Sequence, residues 1–186
     1  NTQFTVGYLG AYGPDKGVKY LLQAGGALTL EGAELWLAGA GSENLEKLVR
    51  QYVPAGKVRL LGWVEDPYEF YQHLTVYVQP SVCEGFGIEV AEAMACGRPV
   101  ICSTGAGAAD LVIPQREKAT FLLPTVPGLT VQPANAISLA AALRLMYAHY
   151  QDLPSMGQAA RDVARQLTWP EIEDRYEAIF HNRLHI

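Results

Sequence analysis

A basic face is the first thing this sequence lacks. Its 14 lysines and arginines are outnumbered by 19 acids, for a formal charge of -5 over 186 residues. That balance excludes an extended nucleic-acid footprint, which needs clustered cations, and leaves room only for a local basic pocket. Long apolar runs are missing too. None reaches the roughly 20 residues that span a bilayer, so no transmembrane segment is expected. The three cysteines, Cys83, Cys96 and Cys102, show no metal-ligand spacing. Their odd number suits a reducing, cytoplasmic compartment, where they read as small buried thiols. No internal repeat or low-complexity segment occurs. The dinucleotide fingerprint G-x-G-x-x-G is also absent, because Ala38-Gly39-Ala40-Gly41 runs on into Ser42-Glu43-Asn44. A nicotinamide-dependent oxidoreductase therefore has no support.

What is present is alternation. Apolar runs at 4–9, 33–41 (ending in glycines), 57–64, 75–80 and 98–103 read as strands, and "ATFLLP" (119–124) as a sixth. Helical patterns separate them. One covers Lys16 to Thr29, weakened at Gly25-Gly26. A second is capped by Ser42, with Glu43 in its first turn. A third is opened by Asp66 with Pro67 at its first position. A fourth begins near Gly87 or Ile88. Three helices are expected to close the chain, at 137–150, 155–166 and from "TWPE", where Thr168 and Glu171 form a capping box. "LLPTVPGLTVQP" (122–133), with three prolines, reads as a linker. Strands that are apolar throughout and separated by helices predict a parallel α/β sheet covered on both faces. Such sheets bind ligands beyond the C-terminal strand ends, at a topological switch point.

The loops there carry the chemistry. In "GAYGPDKG" (10–17), Lys16 stands at a helix start, where free N–H groups already favour anions. Gly39, in "AGAG", allows backbone to approach a ligand. Trp63 reads first as core packing at a strand end, with the backbone of the Trp63-Val64 loop left to meet a base edge. "CEGFGIEVAEAMACGRPV" (83–100) is the most informative stretch. Gly85 and Gly87 flank Phe86 and let N–H groups point outward. Glu84 precedes the helix and Glu92 lies about one turn inside it. An acid in so apolar a helix needs a partner. Glu89 is read as a surface residue that helps the helix dipole. A helix N-terminus suits a diphosphate, and carboxylates on either side suit hydroxyls as acceptors. The ligand class that fits is sugar, diphosphate, ribose.

These residues resemble a known family. "PSVCEGFGIEVAEAMACGRPVICS" (80–103) is similar to the E-x7-E region of retaining GT-B glycosyltransferases of the GT4 type. "GYLGAYGPDKG", "LWLAGAG", "VRLLGWV" and "LTWPEIEDRYEAIF" are similar to further stretches of the same half. The resemblance implies a Rossmann-like, donor-binding C-terminal half of a GT-B fold as a single domain over 1–186. The acceptor-binding N-terminal half would lie outside the chain, which begins in a strand-like run without Met.

By position, the resemblance makes Glu84 a ligand of donor-sugar hydroxyls. Gly85, Phe86, Gly87 and Ile88 would offer backbone to sugar and phosphate, and Glu92 would hold the ribose. Lys16 would bind the diphosphate as leaving group, with Gly10 and Gly39 beside it, and Trp63 and Val64 would meet the base. Glu84 and Lys16 are the catalytic candidates. The donor would be a UDP-, GDP- or ADP-sugar, and the acceptor a sugar, lipid or small molecule. Transfer would retain configuration and use neither cofactor nor metal, with the full-length protein cytoplasmic or peripheral at the inner membrane face. One departure stands out. The family often places arginine five residues before the lysine, where this chain has Ala11. Loss of that clamp is worth about 2–4 kcal/mol of transition-state stabilisation. It leaves a non-catalytic nucleotide-sugar-binding module as an alternative, with a GT-B-like sugar-nucleotide epimerase behind it. Asp110 lies near the place of a family glutamate and takes no assigned role.

Overall fold

Six parallel strands in the order β3-β2-β1-β4-β5-β6 form the centre of the molecule. A computed structural model describes residues 3–41, 45–112 and 125–183. The strands are β1 (Phe4–Leu9), β2 (Ala33–Ala38), β3 (Val58–Gly62), β4 (Val76–Gln79), β5 (Val100–Ser103) and β6 (Gly128–Val131). The helices are α1 (Val18–Gln23), α2 (Leu45–Tyr52), α3 (Pro67–Gln72), α4 (Ile88–Ala95), α5 (Ala136–Ala148), α6 (Leu153–Ala164) and α7 (Trp169–Arg183). The expected doubly covered α/β sheet is what the chain forms. On one face, Leu21 and Leu22 of α1 pack with Leu139, Leu143 and Met146 of α5 against Val6, Leu35 and Val78. On the other, Phe70 and Tyr71 of α3 and Val90 and Met94 of α4 pack on Tyr77, Val100 and Cys102. Burying apolar surface on both sides at about 25 cal/mol per Å² is what holds the layers together.

Several expectations need correction. The sixth strand is β6, inside the proline-rich stretch read as a linker, whereas 119–124 lies outside the described residues, as do Ser42 and Glu43. Pro127 is tolerated because it precedes an edge strand, and its carbonyl accepts from the Val100 N–H at 3.2 Å. The segment from Lys16 to Thr29 is not one helix. A 3-10 turn (Pro14–Lys16) comes first, Gly17 breaks it at φ 68°, α1 follows, and a second 3-10 stretch (Ala24–Thr29) takes over at the weak glycines. Strand β3 is exposed along most of its length, since it is the other edge. The caps fare better. Asp66 Oδ1 accepts from the N–H groups of Tyr68 and Glu69 at 2.9 and 3.4 Å. Glu171 Oε2 accepts from the Thr168 N–H at 3.4 Å, half of the expected capping box. All three thiols are free, but only Cys96 and Cys102 are buried; Cys83 is exposed. Among the described residues no helix is long and apolar enough to cross a membrane.

Candidate nucleotide-sugar site

The order reverses between β1 and β4, so the loops leaving these strands diverge to opposite faces and open a crevice between them. Backbone stitches the two loops together. The Asp15 carbonyl accepts from the N–H groups of Val82 and Cys83 at 2.7 and 3.3 Å. Gly17 sits against Pro80, where a Cβ would lie 2.0 Å from the carbonyl oxygen. This packing is why the lysine turn is followed by a left-handed glycine rather than by a continuous helix.

Lys16 and Glu84 meet across the seam in a direct ion pair. Both side chains are largely covered, with 26% and 16% of their surface exposed. The hydrogen bond to Glu84 raises the Lys16 pKa above its ordinary value, against a smaller opposing effect of burial. Beyond Glu84 the backbone turns toward α4. The N–H groups of Gly85, Phe86, Gly87, Ile88 and Glu89 find no acceptor among the described residues. The turn is held instead by its carbonyls: Glu84 and Phe86 accept from Gly107 and Ala108, at 3.4 and 2.8 Å. Gly87 caps α4 in the left-handed region at φ 88°, with no side chain taking up the helix donors. A run of unsatisfied donors at a helix N-terminus attracts anionic oxygens.

Beside this turn lies a cavity of about 400 Å³. Its walls are Leu9, Gly10, Ala11, Gly39, Ala40, Trp63, Val64, Glu65, Pro67, Ile88, Glu89 and Glu92. Of the residues singled out in the sequence, Gly10, Gly39, Trp63, Val64, Ile88 and Glu92 thus share one cavity. Lys16, Glu84, Gly85, Phe86 and Gly87 form the neighbouring seam. Two of the glycines also tie strand ends together. Gly10 and Gly39 spend their N–H groups on Ala38 and Gly62, at 3.0 and 2.7 Å. A Cβ on Gly39, at φ 130°, would sit 1.9 Å from the Gly10 carbonyl oxygen. They interlock three strand ends and shape the wall.

Two readings change. Trp63 is not core: it is 80% exposed and forms a wall of the cavity. Glu89 is not a plain surface acid, since it is half-buried in the same wall. The partner required by Glu92 is Tyr71, whose hydroxyl donates to Glu92 Oε2 at 2.9 Å. Sequence reasoning missed Tyr71, Glu65 and the polar support beneath the loops. Tyr8 donates to the Ala11 carbonyl at 2.5 Å, and the Tyr77 hydroxyl lies 2.7 Å from Gln79 Oε1 and 3.2 Å from the Leu9 carbonyl. A buried tyrosine needs a partner for its O–H, and that was the available signal.

The family model for glycosyl transferases group 1 matches residues 3–149. The chain belongs to this family. O-antigen chain mannosyltransferase B of Escherichia coli is 41% identical to this chain over 105 residues, 52% of it and 27% of that relative. The GDP-mannose-dependent alpha-mannosyltransferase of Mycolicibacterium smegmatis is 31% identical over 184 residues, 96% of this chain and 44% of that one. Among solved structures, sucrose-phosphate synthase from Thermosynechococcus elongatus superimposes with a TM-score of 0.80 at 28% identity, over 98% of this chain and 46% of that chain. This group 1 chain therefore spans from about a quarter to under a half of these three proteins.

Proposed function

We propose that the chain is the donor-binding half of a hexosyltransferase that moves a sugar, with retention, from a nucleoside-diphosphate carrier to an acceptor hydroxyl. The observation that carries this reading is the seam itself, where Lys16 is paired with Glu84 beside five unpartnered N–H groups, with Glu92 in the wall of the adjoining cavity. Positive groups in that place would take the diphosphate and stabilise the charge that develops as it leaves. Glu84 would hold the donor hexose and Glu92 the ribose, each as hydrogen-bond acceptor. Trp63 and Val64 would face the base, which is that of UDP, GDP or ADP. The group 1 family and the mannosyltransferase relatives support the sugar-transfer class.

The acceptor, whether sugar, lipid or small molecule, would be bound by an N-terminal half outside this chain. Separated from it, the chain would bind donor and transfer nothing. Incubation with radiolabelled UDP-glucose, GDP-mannose and ADP-glucose tests this. The expected result is retention of one of the three on the chain with no labelled transfer product. Joined to its N-terminal half, the protein should form an α-linked product from an α-linked donor, with no loss of rate in chelator. Binding of none of the donors, or a product of inverted configuration, would defeat the reading. Ala11 favours a second reading, a nucleotide-sugar-binding module without catalysis, because it lines the cavity where the resemblance expects arginine. Donor turnover by the joined protein separates the two.

A further inference from the structure

Tyr71 is buried on α3, with 1% of its surface exposed, and it does not line the cavity. Its hydroxyl nevertheless reaches Glu92, the acid that does. The ring has little freedom. Phe70 and Tyr77 pack edge-on against it, at centroid distances of 5.7 and 5.6 Å and interplanar angles of 65° and 78°. Tyr77 is itself completely buried and stands beside the Leu9 carbonyl at the end of β1. The start of α3 is fixed by the Asp66 cap. A rigid chain of contacts therefore runs from the sheet through Tyr71 to a single carboxylate oxygen. Burial, and then the nearby Glu92 charge, push the Tyr71 pKa well above the ordinary value, so the hydroxyl remains a donor across the working pH range.

We propose that Tyr71 is a positioning residue: its hydroxyl pins one oxygen of Glu92 and turns the other acceptor sites of that carboxylate to the ligand in the cavity. A free glutamate samples several rotamers, and fixing one before binding removes that cost from the affinity. An ionised carboxylate has about four acceptor positions, so one donated O–H leaves enough to receive a vicinal pair of hydroxyls. The ligand group served is a cis-diol, the ribose of the nucleotide. This inference rests on the donor-site reading above, and the test below separates the two.

Calorimetric titrations of the chain with UDP, GDP and ADP, and with the 2′,3′-dideoxy form of whichever binds, are compared for the native chain, Tyr71→Phe, Glu92→Gln and the double variant. Tyr71→Phe keeps the ring and removes only the hydroxyl. It is expected to weaken the ribonucleotide by about 3- to 10-fold, the scale of one hydrogen bond to a charged group after partial replacement by water. It should leave dideoxynucleotide affinity unchanged and add nothing in the Glu92→Gln background. Failure of Glu92→Gln to weaken the ribonucleotide, or failure of all three nucleotides to bind, overturns the donor-site reading and this inference with it. A Glu92→Gln effect without a Tyr71→Phe effect overturns the positioning role alone. Equal losses on ribo- and dideoxynucleotide overturn it as well, because general loosening of α3 would act on both.

Discussion

Glu84→Gln should tighten the binding of a bare nucleoside diphosphate, although Glu84 belongs to the proposed donor site. In the ligand-free chain Lys16 is held by Glu84. A diphosphate entering the seam has to share that ammonium with a carboxylate that also repels it. At contact range and an effective dielectric near 20, the pair has a gross attraction of about 4 kcal/mol. Partial exposure and rehydration of the lysine reduce the net value of such pairs to about 1 kcal/mol. Relieving the competition is therefore worth roughly 1 kcal/mol, or about fivefold in Kd. The amide is isosteric, so the loop should keep its shape. Calorimetry with UDP, GDP and ADP reads the effect, and added salt should shrink it because the charges are part-exposed. The same variant should lose sugar transfer in the joined protein, since the amide replaces the carboxylate proposed to hold the hexose. If Glu84→Gln weakens the bare diphosphate as much as Lys16→Met does, the reasoning fails, and Glu84 supports the phosphate site instead of competing with it.

Gly39→Ala places a Cβ 1.9 Å from the Gly10 oxygen at φ 130°; strain and displacement together should cost about 3 kcal/mol and lower Tm by about 6–12 °C in a thermal melt. An unchanged Tm would contradict the interlock. Trp63→Ala removes an exposed wall, so Tm should hold while nucleotide affinity falls by about tenfold; a large loss of stability would return Trp63 to the core. Stability should fall as pH rises above about 9, where the thiols and then the phenols of the unfolded chain ionise while burial holds Cys96, Cys102 and the buried tyrosines protonated in the fold. Tyr8, Tyr71 and Tyr77 are held well above their ordinary pKa of 10.0 by burial, and Tyr12 is pushed up to about 12. The unfolded chain ionises first, and the stability these groups contribute is lost as pH climbs toward their folded values. Urea midpoints across the alkaline range check this, and a midpoint that rises there would refute it.

The sheet was legible because its strands are apolar on both sides and its helices open with readable caps such as Asp66. That ligands meet such a sheet at a switch point followed from its parallel strands, whereas the order that sets the glycine-lysine loop beside the E-x7-E turn is seen only in the fold. What was not legible depends on neighbours remote in the chain. Gly17 breaks the first helix because of Pro80, 63 positions away, a contact that no local propensity carries. Trp63 follows an edge strand, where an indole has no second layer to pack under; only the strand order reveals that edge. β6 hid between prolines that mark linkers elsewhere. Glu89 reads as a dipole partner in any helix, and only the cavity beside it distinguishes its position. Tyr71 carried a hint in its buried hydroxyl, but naming Glu92 as the acceptor required α3 and α4 side by side.

The central claim is that the seam between β1 and β4 holds a nucleoside diphosphate. Calorimetric titration of the chain with UDP, GDP and ADP, repeated on Glu92→Ala, tests it most directly. The account predicts micromolar to millimolar binding of one nucleotide, weakened at least severalfold by the substitution. Binding of none, or binding untouched by Glu92→Ala, would contradict it.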